Sequence, residues 1–238
     1  MKRALLPDAA AGSMRVTGPR FHHLAIVLRV RVDEPLEVFD GRGQVFDAKV
    51  VSVDADGLTV RLGPPRAVPP PRRVTVIQGL PKADKLELVL QKGTELGASA
   101  FWPVAMKRCV VKLEGKEEKK LERWRRIVEE AARQCGRADV PEVLGPVQCS
   151  DVAMTETTVL VLDEAERSLP LSDAVRSVDA SRSLALVIGP EGGLDRSEVD
   201  AFVAHGALTV TLGPNVLRTE TAALAALAVI RHLDGLLG

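Results

Sequence analysis

The first quarter of the chain alternates apolar and polar residues, a pattern typical of short β-strands with one buried face. Within residues 30–62 the alternation is interrupted at Asp40-Gly41 and at Asp56-Gly57. Asp-Gly between alternating runs is a good hairpin signal, so short strands joined by tight turns are predicted. The preceding run FHHLAIVLRV is predicted to form a short helix that enters the first strand. Together these patterns predict a small, barrel-like β-domain.

A proline-rich run, GPPRAVPPPRR (63–73), follows this domain. Proline lacks a backbone N–H, so it cannot join a central strand and favours an extended, stiff spacer. We therefore predict a linker here, with domains at residues 1–68 and 69–238.

After Arg73 the pattern changes to apolar runs that alternate with helical segments. Buried strands are predicted at VTVIQGL (74–80), SAFWPV (99–104), TVLVLDE (158–164), LALVIG (184–189) and LTVTLG (208–213). Strands that alternate with helices form βαβ units. This part of the chain is therefore predicted to be an α/β domain with a mostly parallel sheet.

Local signals place the helices between these strands. Asp84 and Asp195 are each followed three residues later by a glutamate, Glu87 and Glu198, which predicts a capping box at each helix start. A charged helix is predicted over residues 116–137. The alanine-rich C-terminal helix is apolar on all sides, so we expect it to be buried.

The net charge of zero hides a strong asymmetry along the chain. Residues 1–73 hold 12 Lys and Arg against 8 Asp and Glu, and residues 104–137 hold 11 against 6. Residues 138–238 hold 6 against 15. Because local field rather than total charge steers a partner, the basic front could bind a polyanion.

The cysteines Cys109, Cys135 and Cys149 show no spacing typical of a zinc site and no disulfide framework. We therefore expect no metal and a reducing, cytoplasmic environment. The N-terminus lacks the apolar core of a signal peptide. The longest wholly apolar run, Ala222–Ile230, is too short to cross a bilayer, so no membrane partner is expected.

Three predicted strands end in unusual loops: Asp163-Glu164, GPEGG (189–193) and LGPNVLRTET (212–221). Ligands of open α/β sheets bind outside the carboxyl ends of the strands, so these loops are predicted to line one cleft. The GxGxxG spacing and the Walker lysine are absent, which argues against a dinucleotide and against a nucleoside triphosphate.

The tetrapeptide Arg218–Thr221 lies at the start of the last helix. A helix-start interpretation explains Thr219 as the cap and Glu220 as an acid near the positive end of the helix dipole. It does not explain Arg218 at the end of a strand. A role for Arg218 in the cleft is the alternative hypothesis.

Further basic residues are candidates for contacts with RNA phosphates. We predict RNA contacts at Arg20, His22, Arg29, Lys92, Lys107 and Arg108. The simpler interpretations are a solvated surface helix for the first three residues and a pair with Glu95 for Lys92.

The run LVIGPEGGLDRSEV, followed by LGPNVLRTETAALAAL, resembles the C-terminal signature of the RsmE-type RNA methyltransferases of the SPOUT superfamily. QGLPKADKLELVLQKGTELGASAFWPV, KRCVVK and ERWRRIVEEAARQCGRADVPEV resemble the same family, as does the N-terminal FHHLAIVLRV. The resemblance covers nearly the whole chain in order, which makes it more specific than any single motif.

The resemblance implies a PUA-like, RNA-binding β-barrel over residues 1–68. It implies a SPOUT domain over residues 69–238, with a trefoil-knotted, mostly parallel sheet and helices on both faces. The implied cofactor is S-adenosylmethionine, and the implied reaction is methylation of N3 of one uridine in 16S ribosomal RNA of the 30S subunit. A homodimer through the C-terminal domains is also implied.

The resemblance also implies the site residues. The implied cofactor-binding residues are Leu162, Glu164, Ile188, Gly189, Pro190, Glu191, Gly192, Gly193, Leu212, Gly213, Val216, Leu217, Arg218, Thr219, Thr221 and Ala222. Arg218 would stabilise the uracil anion or hold a phosphate. Glu220 would position Arg218 or accept the uracil proton.

The chain departs from the family pattern at Asn215, where a basic residue is usual, and at Cys109, where serine is usual. Two alternative functions stay open at this point. One is a SPOUT ribose 2′-O-methyltransferase, and the other is a non-catalytic RNA-binding factor in ribosome assembly.

Overall fold

The computed structural model describes residues 1–68, 70–111, 115, 117–152 and 157–238. Three positions used in the predictions lie outside the described residues. These are Pro69 at the predicted domain boundary, Lys112 in KRCVVK and Lys116 at the predicted start of the charged helix.

The chain divides into two compact units. The N-terminal unit contains Met1–Pro70 and also Ala132–Val140. The C-terminal unit contains Pro71–Ala131 and Pro141–Gly238. No pattern in the sequence indicated that a segment beyond residue 130 joins the first unit, and the roles assigned to the two domains stay predictions.

The N-terminal unit is built on a β-sheet. Its described strands are β1 (Lys2–Leu5), β2 (Gly12–Thr17), β3 (Pro35–Phe39), β4 (Gln44–Val53) and β5 (Gly57–Ala67). They lie in the order β1-β3-β4-β5-β2. The antiparallel pairs β3 with β4 and β4 with β5 confirm the two predicted hairpins. The alternation did not predict β1 and β2.

A short helix, α1 (Gly18–His22), follows β2 and continues as a π-helical turn, His23–Val27. This confirms the helix predicted in FHHLAIVLRV. Alternate residues of the strands, among them Leu36 and Val60, form the buried core of this unit. The unit therefore folds around its own apolar side chains.

The predicted linker is partly wrong, because β5 continues through Gly63–Ala67. β2 pairs with β5 only as far as Leu62, whereas β4 pairs with it through Ala67. Among the described residues, one edge of β5 therefore has no partner strand beyond Leu62. Proline is tolerated there because it needs to donate no ladder hydrogen bond.

The C-terminal unit contains a second sheet. Its described strands are β6 (Val74–Gly79), β7 (Ala100–Ala105), β8 (Glu142–Val143), β9 (Val147–Gln148), β10 (Thr157–Leu162), β11 (Ser183–Ile188) and β12 (Leu208–Val210). The order is β12-β10-β11-β6-β7-β8, and β9 also pairs with β7. Every pairing in the described part of this sheet is parallel, which confirms the predicted α/β class.

Four described helices lie wholly in this unit: α2 (Lys85–Glu95), α4 (Leu171–Ser177), α5 (Arg196–Ala204) and α6 (Thr219–Leu233). The helix α3 (Glu117–Cys135) begins in this unit, and its residues from Ala132 belong to the N-terminal unit. Val199 of α5 packs with Val161 and Val187 on one face. On the opposite face of the sheet, Gly93 of α2 lies against the ring of Phe101 in β7. Helices therefore lie on both faces, as the resemblance implied, while the knot itself stays a prediction.

One of the two predicted capping boxes is observed. Asp195 accepts a hydrogen bond from Ser197 N, and Glu198 accepts one from Asp195 N, so the capping box of α5 is confirmed. Asp84 makes no side-chain cap on α2, which corrects that prediction. Glu87 instead pairs with Arg123, 2.7 Å away, so a tertiary partner replaces the local one.

The C-terminal helix also differs from its prediction. Arg218 stands at the N-cap position, and Thr219 is the first helical residue rather than the cap. The helix is buried on one face only, since Leu224 and Val229 keep partial exposure. In the described residues, no helix has both the length and the apolar character needed to cross a membrane.

Candidate functional site

A cavity of about 530 Å³ opens at the carboxyl ends of β10, β11 and β12. Its wall comes mainly from three loops, within residues 162–167, 188–194 and 211–218. This confirms the prediction that the three strand-end loops line one cleft. The topology explains it, since β10 lies between β11 and β12 in a parallel sheet.

The GPEGG loop folds tightly back on itself. A Cβ on Gly189 would lie only 2.8 Å from the backbone of Gly193 and Leu194. Gly193 has φ of +71°, a left-handed conformation that favours glycine, and its N–H donates to Pro190 O at 2.9 Å. Glycine is therefore required at both ends of the loop.

Three polar groups meet where Gly189 and Thr219 line the cavity and Gln78 lies buried behind them. Thr219 Oγ1 donates to the carbonyl of Gly189 at 2.5 Å. The same oxygen accepts a hydrogen bond from Gln78 Nε2 at 2.8 Å. Gln78 is 1% exposed and Thr219 is 7% exposed. These contacts connect the ends of β6 and β11 to the start of α6, which is why Thr219 does not serve as a local cap.

Lys85 joins two carboxylates at the rim of the cavity. Its Nζ lies 2.9 Å from Glu191 Oε1 and 3.6 Å from Glu220 Oε2. Burial by itself raises the pKa of Glu191, but the hydrogen bonds from Lys85 and from Lys82 N outweigh it, and the net pKa is lowered. The hydrogen bond to Glu191 raises the pKa of Lys85. The pair therefore stays ionised at neutral pH.

The cations that line the cavity differ in their partners. Arg196 pairs with Asp163 at 2.7 Å, and Arg108 donates to the carbonyl of Gly192 at 3.0 Å. In contrast, the Arg218 side chain makes no hydrogen bond or ion pair with any residue that the structure describes. Arg218 is also exposed, so its charge is available to a ligand.

Two thiols lie near this site, in the apolar cluster around α5. Burial raises the pKa of Cys109, and it raises the pKa of Cys149 to about 11. Both thiols are therefore protonated at neutral pH and are poor nucleophiles. A cysteine in place of the usual serine at position 109 adds no reactive group.

Comparison with known proteins identifies the family. A model described as an RNA methyltransferase domain matches residues 68–231, and one described as an RNA methyltransferase PUA domain matches residues 16–63. Ribosomal RNA small subunit methyltransferase E of Mycobacterium bovis is 39% identical over 236 residues, which are 94% of this chain and 88% of that protein. The chain belongs to the RsmE-type family of RNA methyltransferases.

Further members of the RsmE-type family agree with this assignment. The Bacillus subtilis protein of the same name is 37% identical, with 95% of this chain and 93% of that protein covered. A crystal structure of the Neisseria gonorrhoeae protein bound to S-adenosyl methionine has a TM-score of 0.86 at 33% identity, with 98% of each chain covered. The similarity therefore extends through both units.

The cavity brings most of the predicted cofactor residues together. Those that line it are Leu162, Glu164, Ile188, Gly189, Pro190, Glu191, Gly193, Leu212, Gly213, Val216, Leu217, Arg218, Thr219 and Ala222. Gly192 and Thr221 are not in the lining, and Glu220 lies beside it next to Lys85. The binding roles of these residues stay predictions.

The predicted RNA-contact residues fall in several places. Lys107 donates to Ser197 at 2.6 Å, and Arg108 lines the cavity itself. Lys92 pairs with Glu95 at 2.8 Å, as the simpler interpretation expected. The remaining predicted positions, which are exposed on the N-terminal unit, are Arg20, His22 and Arg29.

The sequence predictions missed Gln78 and Lys85. A signal for Gln78 was present, since its amide stands near the carboxyl end of VTVIQGL, a run in which Thr75 is the other polar residue. Lys85 gave no signal, because its partners Glu191 and Glu220 lie more than a hundred residues away. Across the described ranges, no group of three or more His, Cys, Asp or Glu could hold a metal.

Proposed function

We propose that this chain transfers a methyl group from S-adenosylmethionine to N3 of a uridine in 16S ribosomal RNA of the 30S subunit. The observation that carries the proposal is the cavity at three strand ends, with an exposed, unpaired Arg218 in its wall among the described residues. The names of the 39% and 37% identical relatives support the ribosomal substrate, and the cofactor-bound Neisseria gonorrhoeae structure supports the methyl donor.

The residues of the cavity fit this cofactor. Apolar side chains of Ile188, Leu212 and Leu217 suit the faces of an adenine, and the close-packed GPEGG backbone offers polar groups without side-chain obstruction. Glu164 and Glu191 supply negative charge near a cationic ligand. When bound, the cofactor supplies an electrophilic methyl group on a sulfonium centre.

Arg218 and Glu220 are the residues that we propose act on the uracil. N3 of uridine carries a proton and becomes a good nucleophile only when that proton leaves. The Arg218 guanidinium stabilises the uracil anion that develops, and electrostatic stabilisation of this kind usually supplies a large share of an enzyme's rate acceleration. Glu220 accepts the proton or holds it near Lys85, which lies 3.6 Å from its Oε2.

The base must also reach the cavity. Enzymes that modify a base act on single-stranded RNA or flip the target nucleotide out of the stack. Holding the uridine and the methyl donor in one cavity supplies much of the acceleration, because it removes the entropy cost of their encounter.

RNA contacts are proposed at the exposed basic residues of the N-terminal unit. Replacing Arg20 and Arg29 with alanine is expected to weaken RNA binding and to reduce the slope of log K against log salt by about one per lost phosphate contact. Arg15→Ala is the matched control, because Arg15 is already paired with Asp54 at 2.6 Å. Filter binding over a salt series measures the slope, and an unchanged slope in the double variant argues against these contacts.

We further propose that the chain forms a homodimer through its C-terminal unit. The α6 surface supports this, since its apolar Leu224, Ala225, Ala228 and Val229 keep partial exposure in the single chain. A second copy could cover this face.

The function is tested by nucleoside mass spectrometry of 16S ribosomal RNA from a deletion strain. We expect N3-methyluridine to be missing and to be restored in vitro by the purified protein with S-adenosylmethionine and 30S subunits. Loss of a 2′-O-methylated nucleoside instead would indicate the ribose methyltransferase alternative. A purified protein that fails to bind S-adenosylmethionine in calorimetry would indicate the non-catalytic assembly factor.

A further inference from the structure

A buried amide that the proposed chemistry does not use lies behind the cavity wall, in contact with the lining residues Gly189 and Thr219. Gln78 is 1% exposed at the carboxyl end of β6, although an amide is costly to bury without hydrogen bonds. Its Nε2 is close to three acceptors: Thr219 Oγ1 at 2.8 Å, Gly79 O at 3.1 Å and Gly189 O at 3.5 Å. The side chain therefore has a specific task at this position.

The contacts fix the direction of every hydrogen bond. An amide oxygen placed at the Nε2 position would oppose two carbonyl oxygens, so the nitrogen must face them. Thr219 Oγ1 then accepts from Gln78, and its single O–H is free to donate only to Gly189 O, 2.5 Å away. The result is a one-way relay from the Gln78 amide to the Thr219 hydroxyl and on to the Gly189 carbonyl.

The opposite end of the same amide shows what this orientation costs. Gln78 Oε1 is buried and has no hydrogen-bond partner among the described residues. Buried polar atoms are nearly always satisfied, so an orphan acceptor calls for an explanation. Keeping the Nε2 donor on Thr219 therefore leaves the Oε1 acceptor of the same amide without a hydrogen bond.

We propose that Gln78 is a positioning residue for the methyl transfer. Through the Thr219 hydroxyl it holds the Gly189 carbonyl at the base of the GPEGG loop, and it also fixes the backbone from which the adjacent Arg218 projects. One buried side chain thereby fixes the position of the GPEGG loop relative to Arg218, the proposed catalytic cation. The inference rests on the proposed function and adds a residue to it.

The relay is tested by removing each donor without changing its volume much. Gln78→Met and Thr219→Val are each expected to lower kcat/KM for 30S methylation by about 10²-fold, because a small displacement of reacting groups has an effect of that size. The double variant should be no worse than either single variant, since both remove the same relay. Thr219→Ser, which keeps the hydroxyl, should restore most of the activity.

Thr94→Val is the matched control. Thr94 is fully buried in α2 and donates to Leu90 O, away from the cavity. Loss of the Thr94 hydroxyl should lower stability. It should leave kcat/KM near the wild-type value at a temperature where all variants are folded. The proposal is overturned if Gln78→Met keeps wild-type kcat/KM, or if the two single losses multiply in the double variant. Should Gln78→Met not fold, Thr219→Val with its serine rescue decides the question.

A second readout does not depend on activity. The amides of Gly193, which donates to Pro190 O, and of Ala222, which donates to Arg218 O, report on the loop and on the helix start. Hydrogen exchange at both should accelerate together in Gln78→Met and not in Thr94→Val. If the wild-type protein does not methylate 30S subunits, the proposed function fails, whereas unchanged exchange at both amides overturns the relay alone.

Discussion

Replacing Arg218 with alanine is expected to lower kcat for methylation of 30S subunits by about 10²–10³-fold, the usual loss when one fixed group that stabilises developing charge is removed. The expectation follows from the position of Arg218 in the cavity wall, exposed and without a partner among the described residues. A cation that is already paired within the protein would stabilise a uracil anion less, because its partner offsets part of its charge. Single-turnover assays with radiolabelled cofactor measure the change.

Two further variants make this result specific. Arg218→Lys keeps the charge but loses the planar guanidinium, so an intermediate loss is expected if geometry contributes as well as charge. Arg176→Ala is the matched control, because Arg176 is an exposed arginine of the same unit that pairs with Asp173. Wild-type turnover by Arg218→Ala would contradict the proposed role, and a fall in both alanine variants would point to a general effect of charge.

The cleft was predictable from the sequence because its parts are local. β10, β11 and β12 come from short runs rich in apolar residues, and each ends in a polar or glycine-rich loop. Parallel strands have their carboxyl ends on one edge, so the loops had to meet once the sheet was recognised. The capping box at Asp195 was predictable for the same reason, since all its atoms lie within four residues.

The predictions failed where a partner distant in sequence competes with a local one. Thr219 has the chemistry of a cap, but its hydroxyl bonds to Gly189, 30 positions away. Glu87 could close a capping box, but it pairs with Arg123 instead. Spacing within one segment cannot show which of two acceptors or donors is closer once the chain has folded.

The N-terminal unit shows a second kind of limit. β1 pairs in parallel with β3, about thirty residues later, and Asp139 forms a bridge to Gly41 from the far end of α3. Alternation of apolar and polar residues reveals a strand only when the run is long enough. It does not show which other strand that strand will pair with. These contacts therefore required the structure.

Gly79→Ala is expected to raise the Kd for S-adenosylmethionine by roughly 5- to 150-fold, which corresponds to an overpacking cost of about 1–3 kcal/mol. A Cβ on Gly79 would lie 2.7 Å from Met106 Sδ and from Pro190 Cδ, and 2.8 Å from Pro190 N. The methionine side chain is flexible and can move aside. Pro190 is a ring fused to the backbone of the GPEGG loop, so the loop itself must shift.

Gly145→Ala is the matched control, because a Cβ there would meet nothing within 4 Å. Gly145 also lies outside the left-handed backbone region, so its substitution is expected to be neutral or slightly stabilising. Calorimetry with the cofactor and thermal unfolding of both variants separate the two ways in which Gly79→Ala can relieve the overlap. If the loop moves, cofactor affinity falls more than stability, whereas separation of β6 from β11 would lower the unfolding temperature first. Equal affinities in the two variants would show that close packing of β6 against Pro190 does not shape the cofactor site.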